Sequence, residues 1–364
     1  MKNSSENKHV ILHVDMDHFF SAIEEREHQR FKGKPVVVGA DPQEGKGRGV
    51  VKTCNYESRK FGIHSGMPIS KAWQLCPNAI YVNANYPLYN EVSKRIMDIL
   101  RKYSNKFQQW GSDEAFLDIS SEIGDFEEAT QFAVCIKHDI LWNERLTCSI
   151  GVAPNKLVAK IASDFQKPDG LTVVTEDEME SFLSPLSVRK MLGIGEKTER
   201  KLNRMGIKTI GDLGSYDVST LGKKFGVMGK RFHQWAHGIY VSEVGKRKDA
   251  RKSLGHEKTF ITDIEDQELI MKKMDDICRR IYERAVKYGI LFKTVTVKIR
   301  FADFQTFTHG KTLSVFTNCL QELQKTARDL AEGYFRKKNQ FRLIGVRVSH
   351  LKDSKGQIPL IDGN

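Results

Sequence analysis

Two acidic clusters hold the chemistry this sequence can offer. Val14-Asp15-Met16-Asp17 closes an apolar, β-branched run, and Gly111-Ser112-Asp113-Glu114 leads straight into the apolar strand at 115–120. Alternation along a strand puts Asp15 and Asp17 on one face, away from Val14. Carboxylates set against apolar strands are costly to desolvate unless a cation or a base compensates them. Such oxygen clusters suit Mg2+, which takes a few carboxylates and completes its shell with phosphates. Two such ions about 4 Å apart stabilise both the attacking and the leaving oxygen of an in-line phosphoryl transfer. Asp-x-Asp after a strand also matches phosphohydrolases with an aspartate nucleophile, so the first cluster alone does not choose the reaction.

Further residues supply what a triphosphate needs. In Thr53–Arg59, Tyr56 and Arg59 lie three apart, on one face if helical. Lys167 stands just before Pro168, which ends a helix. Together they offer a hydroxyl donor, a bidentate guanidinium and a point charge. Downstream, residues 188–210 read as a helix, a tight Gly193-Ile194-Gly195 hairpin and a second helix ending before Gly206. The glycines allow close backbone approach, and the second helix presents free N–H groups to a phosphate. Lys197 adds charge without base information. This is a helix-hairpin-helix, a clamp on DNA backbone that ignores sequence.

The elements that must hold these residues follow from periodicity. Strands are expected at 9–15, 35–40, 115–120, 146–153 and 171–174, with helices at 19–30, 70–76, 86–103, 126–142 and 155–165. That alternation makes 1–174 an α/β or α+β domain. Residues 176–240 carry short helices, many glycines and no convincing strand. The segment 241–253 is too rich in charge to bury a core. The last third reads β-α-β-β-α-β, a split, ferredoxin-like order. In its second strand Val295, Val297, Ile299 and Phe301 share one face, and Thr294, Thr296, Lys298 and Arg300 share the other.

Composition sets the bounds. The chain has 364 residues, 58 Lys+Arg and 46 Asp+Glu, for a net charge of +12. Residues 1–240 carry 33 basic and 30 acidic side chains, and 241–364 carry 25 and 16, so the excess concentrates where a polyanion could bind. No window approaches the ~18 apolar residues of a membrane helix. The N-terminus lacks the apolar run of a signal peptide, and the six cysteines form no C-x-x-C pair. A cytoplasmic protein with reduced thiols is expected.

Taken together the motifs resemble a Y-family (translesion) DNA polymerase of the DNA polymerase IV branch. HVDMDHFFSAIEE (13–25), KGKPVVVG (32–39), TCNYESRKFGIHSGMP (53–68), SDEAFLDIS (112–120), GVAPNKLVAKIASDFQKPDG (151–170), LGIGEKT (192–198), RKSLGHE (251–257) and RLIGVRVS (342–349) carry the likeness in order. It implies an α+β, right-handed multidomain enzyme. A ferredoxin-like palm would be 1–18 and 85–174, small fingers 19–84 and a helical thumb 175–240. A basic linker at 241–252 would lead to the little finger, 253–351, and a tail, 352–364.

The resemblance also implies roles. Asp15, Asp113 and Glu114 with the Met16 carbonyl would hold two Mg2+ ions, Mn2+ substituting, and Asp17 would be structural support. Phe20 would be a steric gate against the ribose 2′-hydroxyl. The amides around Phe19 and Phe20, with Thr53, Tyr56, Arg59 and Lys167, would hold the incoming dNTP. Gly193, Ile194, Gly195 and Lys197 would clamp primer-template DNA, and Lys252, Lys298 and Arg300 would grip the duplex. Low fidelity without a proofreading exonuclease is implied, in a monomer. Three features depart from the pattern. Gly111-Ser112 replaces an aliphatic approach to the Asp-Glu pair, His18 stands at a position often small or aromatic, and the tail has Gln357 and Leu360 but no terminal aromatic pair for a sliding clamp. A phosphohydrolase using Asp15, or a DNA-binding repair factor without turnover, are the competing readings.

Overall fold

The computed structural model describes residues 9–245, 251–335 and 340–353. Contacts divide these into two compact units, one of residues 9–40, 50–67 and 71–245, the other of 41–49, 68–70, 251–335 and 340–353. Linker residues 246–250 and the tail with Gln357 and Leu360 lie outside the described residues.

In chain order the elements up to residue 174 are β1 (Ile11–Met16), α1 (Phe19–Glu27), β2 (Val36–Gly39), β3 (Val51–Cys54), α2 (Tyr56–Arg59), α3 (Ile69–Leu75), β4 (Ile80–Asn83), α4 (Tyr86–Leu100), β5 (Lys106–Gln109), β6 (Glu114–Asp118), α5 (Phe126–Glu144), β7 (Cys148–Ala153), α6 (Lys156–Ser163) and β8 (Leu171–Val173). The main sheet runs β5-β6-β1-β7-β8, and a small one runs β3-β2-β4. Counting β1, β5, β6 and β7 as first to fourth, the order is second-third-first-fourth. This is the ferredoxin-like arrangement, with β8 added parallel to β7.

β1 is central and its two faces meet different cores. Leu12, Val14 and Met16 pack with Val92 and Ile96 of α4 and Ile136 and Ile140 of α5. Burial of each such side chain contributes roughly 1.5–3 kcal/mol. Ile11 faces the other way, into a cluster with Val158, Ala159 and Ala162 of α6. That helix lies hard against β7, because a Cβ on Gly151 would fall 2.1 Å from the Ala159 carbonyl oxygen. No other residue type fits there, and the close seating fixes α6 beneath the carboxylates.

Short helices follow: α7 (Met179–Leu183), α8 (Glu196–Asn203), α9 (Ile210–Ser215), α10 (Val218–Phe225) and α11 (Val227–Ala236). Leu202, Ile210, Leu213, Leu221 and Phe232 make their core. One expectation fails here: the first helix of the 188–210 hairpin is only a three-residue 3-10 turn, Val188–Lys190, because Met191 turns extended at ψ 133°. Gly193 does need glycine, at φ +82°, whereas Gly195 is extended and N-caps α8.

The second unit holds β9 (Ser253–Ile264), α12 (Gln267–Lys287), β10 (Ile290–Phe301), β11 (Thr306–Thr317), α13 (Leu320–Glu332) and β12 (Phe341–Asp353). Its sheet runs β11-β10-β12-β9, all antiparallel. Each β-α-β unit is split by a strand of the other, as expected. The order, first-fourth-second-third, nonetheless differs from that of the main sheet. Val295, Val297 and Ile299 face the helices as the alternation requires. Among the described residues no helix is long and apolar enough to cross a membrane.

Candidate active site

The carboxylates converge because β1 and β6 are antiparallel neighbours in a register that pairs Asp15 with Glu114. Side chains of directly opposed residues share a face. The Met16 N–H donates to the Asp113 carbonyl at 2.9 Å, which brings Asp113 to the same end of the sheet. The Met16 side chain goes into the core, so only its backbone is on offer to a ligand.

Two ammonium groups answer three carboxylates. Lys167 donates to Asp15, and Lys160, from α6, donates to Glu114. Asp113 has no ammonium partner among the described residues; its contact is the Ser112 hydroxyl at 3.3 Å. Burial raises the Asp113 pKa above the usual carboxylate range, and the charges of Asp15 and Glu114 raise it further. Burial also raises Asp15, against the pull of Lys167. Glu114 behaves oppositely: burial pushes it up, but hydrogen bonds from His13 and Lys160 outweigh that and hold it at about 2. The remaining negative charge and the hard oxygen donors fit a divalent cation better than a protonated pair.

One member of this cluster was not anticipated. His13, Asp15 and Glu114 each place a ligating atom within 4.8 Å of the others. The His13 ring is fully buried, with Nε2 3.2 Å from Glu114 Oε2 and Nδ1 2.7 Å from Ser163 Oγ. Burial lowers its pKa, against the pull of the Glu114 hydrogen bond. The i, i+2 spacing of His13 and Asp15 on β1 was the available signal.

Asp17 lies just past the end of β1 and reaches Ser149, the β7 residue opposite Asp15. It is 1% exposed and accepts hydrogen bonds from Thr147 Oγ1 (2.9 Å), Ser149 Oγ (2.8 Å) and the Asp169 N–H (2.8 Å). Tyr56 donates to it at 3.5 Å. Asp17 therefore braces the turn that carries Lys167. His18 adopts φ 37° ahead of α1, its ring edge-on to Tyr56 at 5.1 Å, and burial drops its pKa to about 4.

Tyr56 and Arg59 do lie on one turn of helix, α2, which Asn55 caps by accepting the Ser58 N–H at 3.0 Å. The exposed Arg59 guanidinium stacks 4.7 Å from the Tyr56 ring centre. Thr53 is half-buried on β3. Phe20 stacks flat on Tyr89, centroids 4.4 Å apart at 13°, with Tyr86 edge-on at 6.2 Å. Phe19 is buried, so only its amide can serve a ligand. The Gly111-Ser112 departure is braced: Ser93 donates to the Ser112 carbonyl, and a Cβ on Gly111 would press on Asp113 and Glu114 at 3.3 Å.

Ile194 is buried and its carbonyl accepts from Arg189 at 3.2 Å, while Lys197 is exposed on α8. In the second unit Lys252 is exposed. Lys298 pairs with Glu257 at 2.9 Å. Arg300 donates to Thr306 at 2.8 Å. Arg347, exposed on the neighbouring β12, has no carboxylate partner among the described residues and was missed.

Comparison with known proteins gives one answer along the chain. Residues 14–164 match the impB/mucB/samB family, 251–360 its C-terminal domain, and 189–239 the thumb domain of DNA polymerase iota. DNA polymerase IV 2 of Methanosarcina mazei is 44% identical over 99% of this chain and 97% of its own length. DNA polymerase IV of Streptococcus gordonii is 39% identical over 93% and 96%. Among solved structures, a Y-family DNA polymerase chimera of Dbh and Dpo4 superposes with TM-score 0.84 at 33% identity, covering 94% of this chain and 99% of that one. An insertion ternary complex of Dbh DNA polymerase gives 0.64 at 33% identity, covering 94% and 99%.

Proposed function

The chain belongs to the impB/mucB/samB family of Y-family DNA polymerases, and on that premise we propose its carboxylate cluster as the seat of template-directed nucleotidyl transfer. The protein is a DNA-directed DNA polymerase of low fidelity that carries out translesion synthesis, binding primer-template DNA and dNTP and depending on metal. The observation that carries the site assignment is the register pairing Asp15 with Glu114, which gathers three carboxylates against only two ammoniums.

In this reading Asp15, Asp113, Glu114 and the Met16 carbonyl hold two Mg2+ ions, Mn2+ being able to replace them. Bound there, divalent metal lowers the pKa of a primer 3′-hydroxyl and neutralises the departing pyrophosphate. Lys167, Tyr56 and Arg59 grip the triphosphate, and the amides of Phe19 and Phe20 add donors. The Phe20 ring, backed by Tyr89, stands against the ribose 2′ position and selects deoxynucleotides. Thr53 contributes a hydroxyl to the same pocket.

The palm, fingers, thumb and little finger take the boundaries given above, in a monomer working in the cytoplasm. Gly193, Ile194, Gly195 and Lys197 hold DNA backbone, with Lys252, Lys298 and Arg300 gripping the duplex. Gln357 and Leu360 are the tail residues offered to a sliding clamp. Primer extension on a primed template with single dNTPs and Mg2+ tests the reading. Extension by the complementary nucleotide alone, abolished by EDTA, is expected. Hydrolysis of a simple phosphate ester without extension would instead favour Asp15 as a nucleophile.

A further inference from the structure

Glu114 makes both of its hydrogen bonds through one oxygen. Oε2 accepts from Lys160 Nζ and lies 3.2 Å from His13 Nε2, while Oε1 has no hydrogen-bond partner among the described residues. A carboxylate with both oxygens free can swing about its Cγ–Cδ bond and chelate a cation with two oxygens. One with Oε2 held from two directions presents a single oxygen.

We propose that His13 is a positioning residue that locks Glu114 as a one-oxygen ligand, with Ser163 fixing the ring orientation that makes this possible. A carboxylate cannot donate, so the hydrogen in this contact belongs to Nε2. The Ser163 hydroxyl donates to the Lys160 carbonyl at 2.8 Å and stands 2.7 Å from Nδ1, which holds the ring facing Glu114. A histidine aligned by a buried second partner is the pattern by which outer residues orient metal ligands.

The backbone makes the arrangement rigid. His13 opposes Phe116 and Gly151 in the centre of the five-stranded sheet, and its ring packs on Phe116 at 4.5 Å. Ser163 and Lys160 stand one turn apart on α6, the helix that Gly151 draws close. One helix therefore supplies both the direct partner of Glu114 and the partner of its histidine. Lys160 alone would leave the carboxylate free to rotate about a flexible ammonium contact; the ring removes that freedom.

The inference rests on the metal-site reading, and the test separates the two. Mn2+ alone is titrated into the full-length, DNA-free protein and free Mn2+ is read by electron paramagnetic resonance. Unaltered protein is expected to bind, and Asp113→Ala/Glu114→Ala is not; equal binding by both overturns the metal-site reading. Given that difference, His13→Phe, which keeps the ring but removes the donor, should weaken Mn2+ about tenfold. His13→Gln, which restores an N–H near Nε2, should stay within about threefold of the unaltered protein. In extension assays His13→Phe should lower kcat and leave the KM for dNTP unchanged. Unweakened Mn2+ binding by His13→Phe, or equal losses in the Phe and Gln variants, overturns the positioning role. Should His13→Phe lower the melting temperature, Ser163→Ala carries the test. It should weaken Mn2+ about threefold, and no change would overturn the orienting part given to Ser163.

Discussion

Replacing Asp17 by asparagine separates structural support from metal binding within one motif. Oδ2 accepts from Thr147 and the Asp169 N–H, and Oδ1 from Ser149 and Tyr56. An amide nitrogen cannot stand at Oδ2, because a backbone N–H cannot turn round. It must replace Oδ1, where the Ser149 and Tyr56 hydroxyls can rotate. Two charge-assisted bonds below 3 Å become neutral at Oδ2, and one at Oδ1 reverses. With charged bonds worth about 1.5–3 kcal/mol and neutral ones about 1, the loss is about 2 kcal/mol. For a unit of this size that lowers the melting temperature by roughly 4–8 °C, read by circular dichroism. Because Asp169 sits two residues beyond Lys167, the KM for dNTP should rise while Mn2+ affinity stays within about threefold. A variant that melts like the unaltered protein yet loses Mn2+ as fully as Asp113→Ala would make Asp17 a metal ligand and refute this reasoning.

Phe20→Ala should raise incorporation of ribonucleotides relative to deoxynucleotides by at least about tenfold, equivalent to 1.4 kcal/mol of discrimination, in single-nucleotide extension. Unchanged sugar selectivity would remove the gate role. At Asp118, burial acts to raise the pKa, but bonds from the Ser120 hydroxyl and N–H and from Lys106 outweigh it, leaving the group below its ordinary value. A depressed folded pKa stabilises above the unfolded pKa, about 3.9, and the benefit is lost as pH falls through the folded value. The melting gap between unaltered protein and Asp118→Asn should thus be full at pH 6 and close toward pH 3. A gap that stays constant would assign the effect to packing.

Long periodic elements were legible in the sequence. Strand β1, helices α4, α5, α12 and the β-α-β-β-α-β order all stand within a few residues of their expected places. Strands β3, β4 and β5 were not, because four residues with one to three apolar positions carry too little alternation to see. The first arm of the glycine hairpin looked helical because Val188–Leu192 contains nothing that breaks a helix; tertiary packing turns Met191 extended. Among the residues proposed for the site, Asp15, Asp113, Glu114 and Lys167 stand out in the sequence as types at telling spacings. His13 was passed over since a lone histidine in an apolar strand reads as core. Only the cross-strand register and α6 reveal that it faces Glu114. The Lys298–Glu257 pair was equally invisible, spanning 41 positions and two strands, β10 and β9, that flank β12 in the folded sheet.

The central claim is that the carboxylates gathered by β1 and β6 make this chain a polymerase. Primer extension with Mg2+ and single dNTPs, run for the unaltered protein beside Asp113→Ala/Glu114→Ala, tests it most directly. Templated extension that vanishes in the double variant, with DNA binding and melting temperature retained, is the predicted result. Extension that survives the double substitution would contradict it.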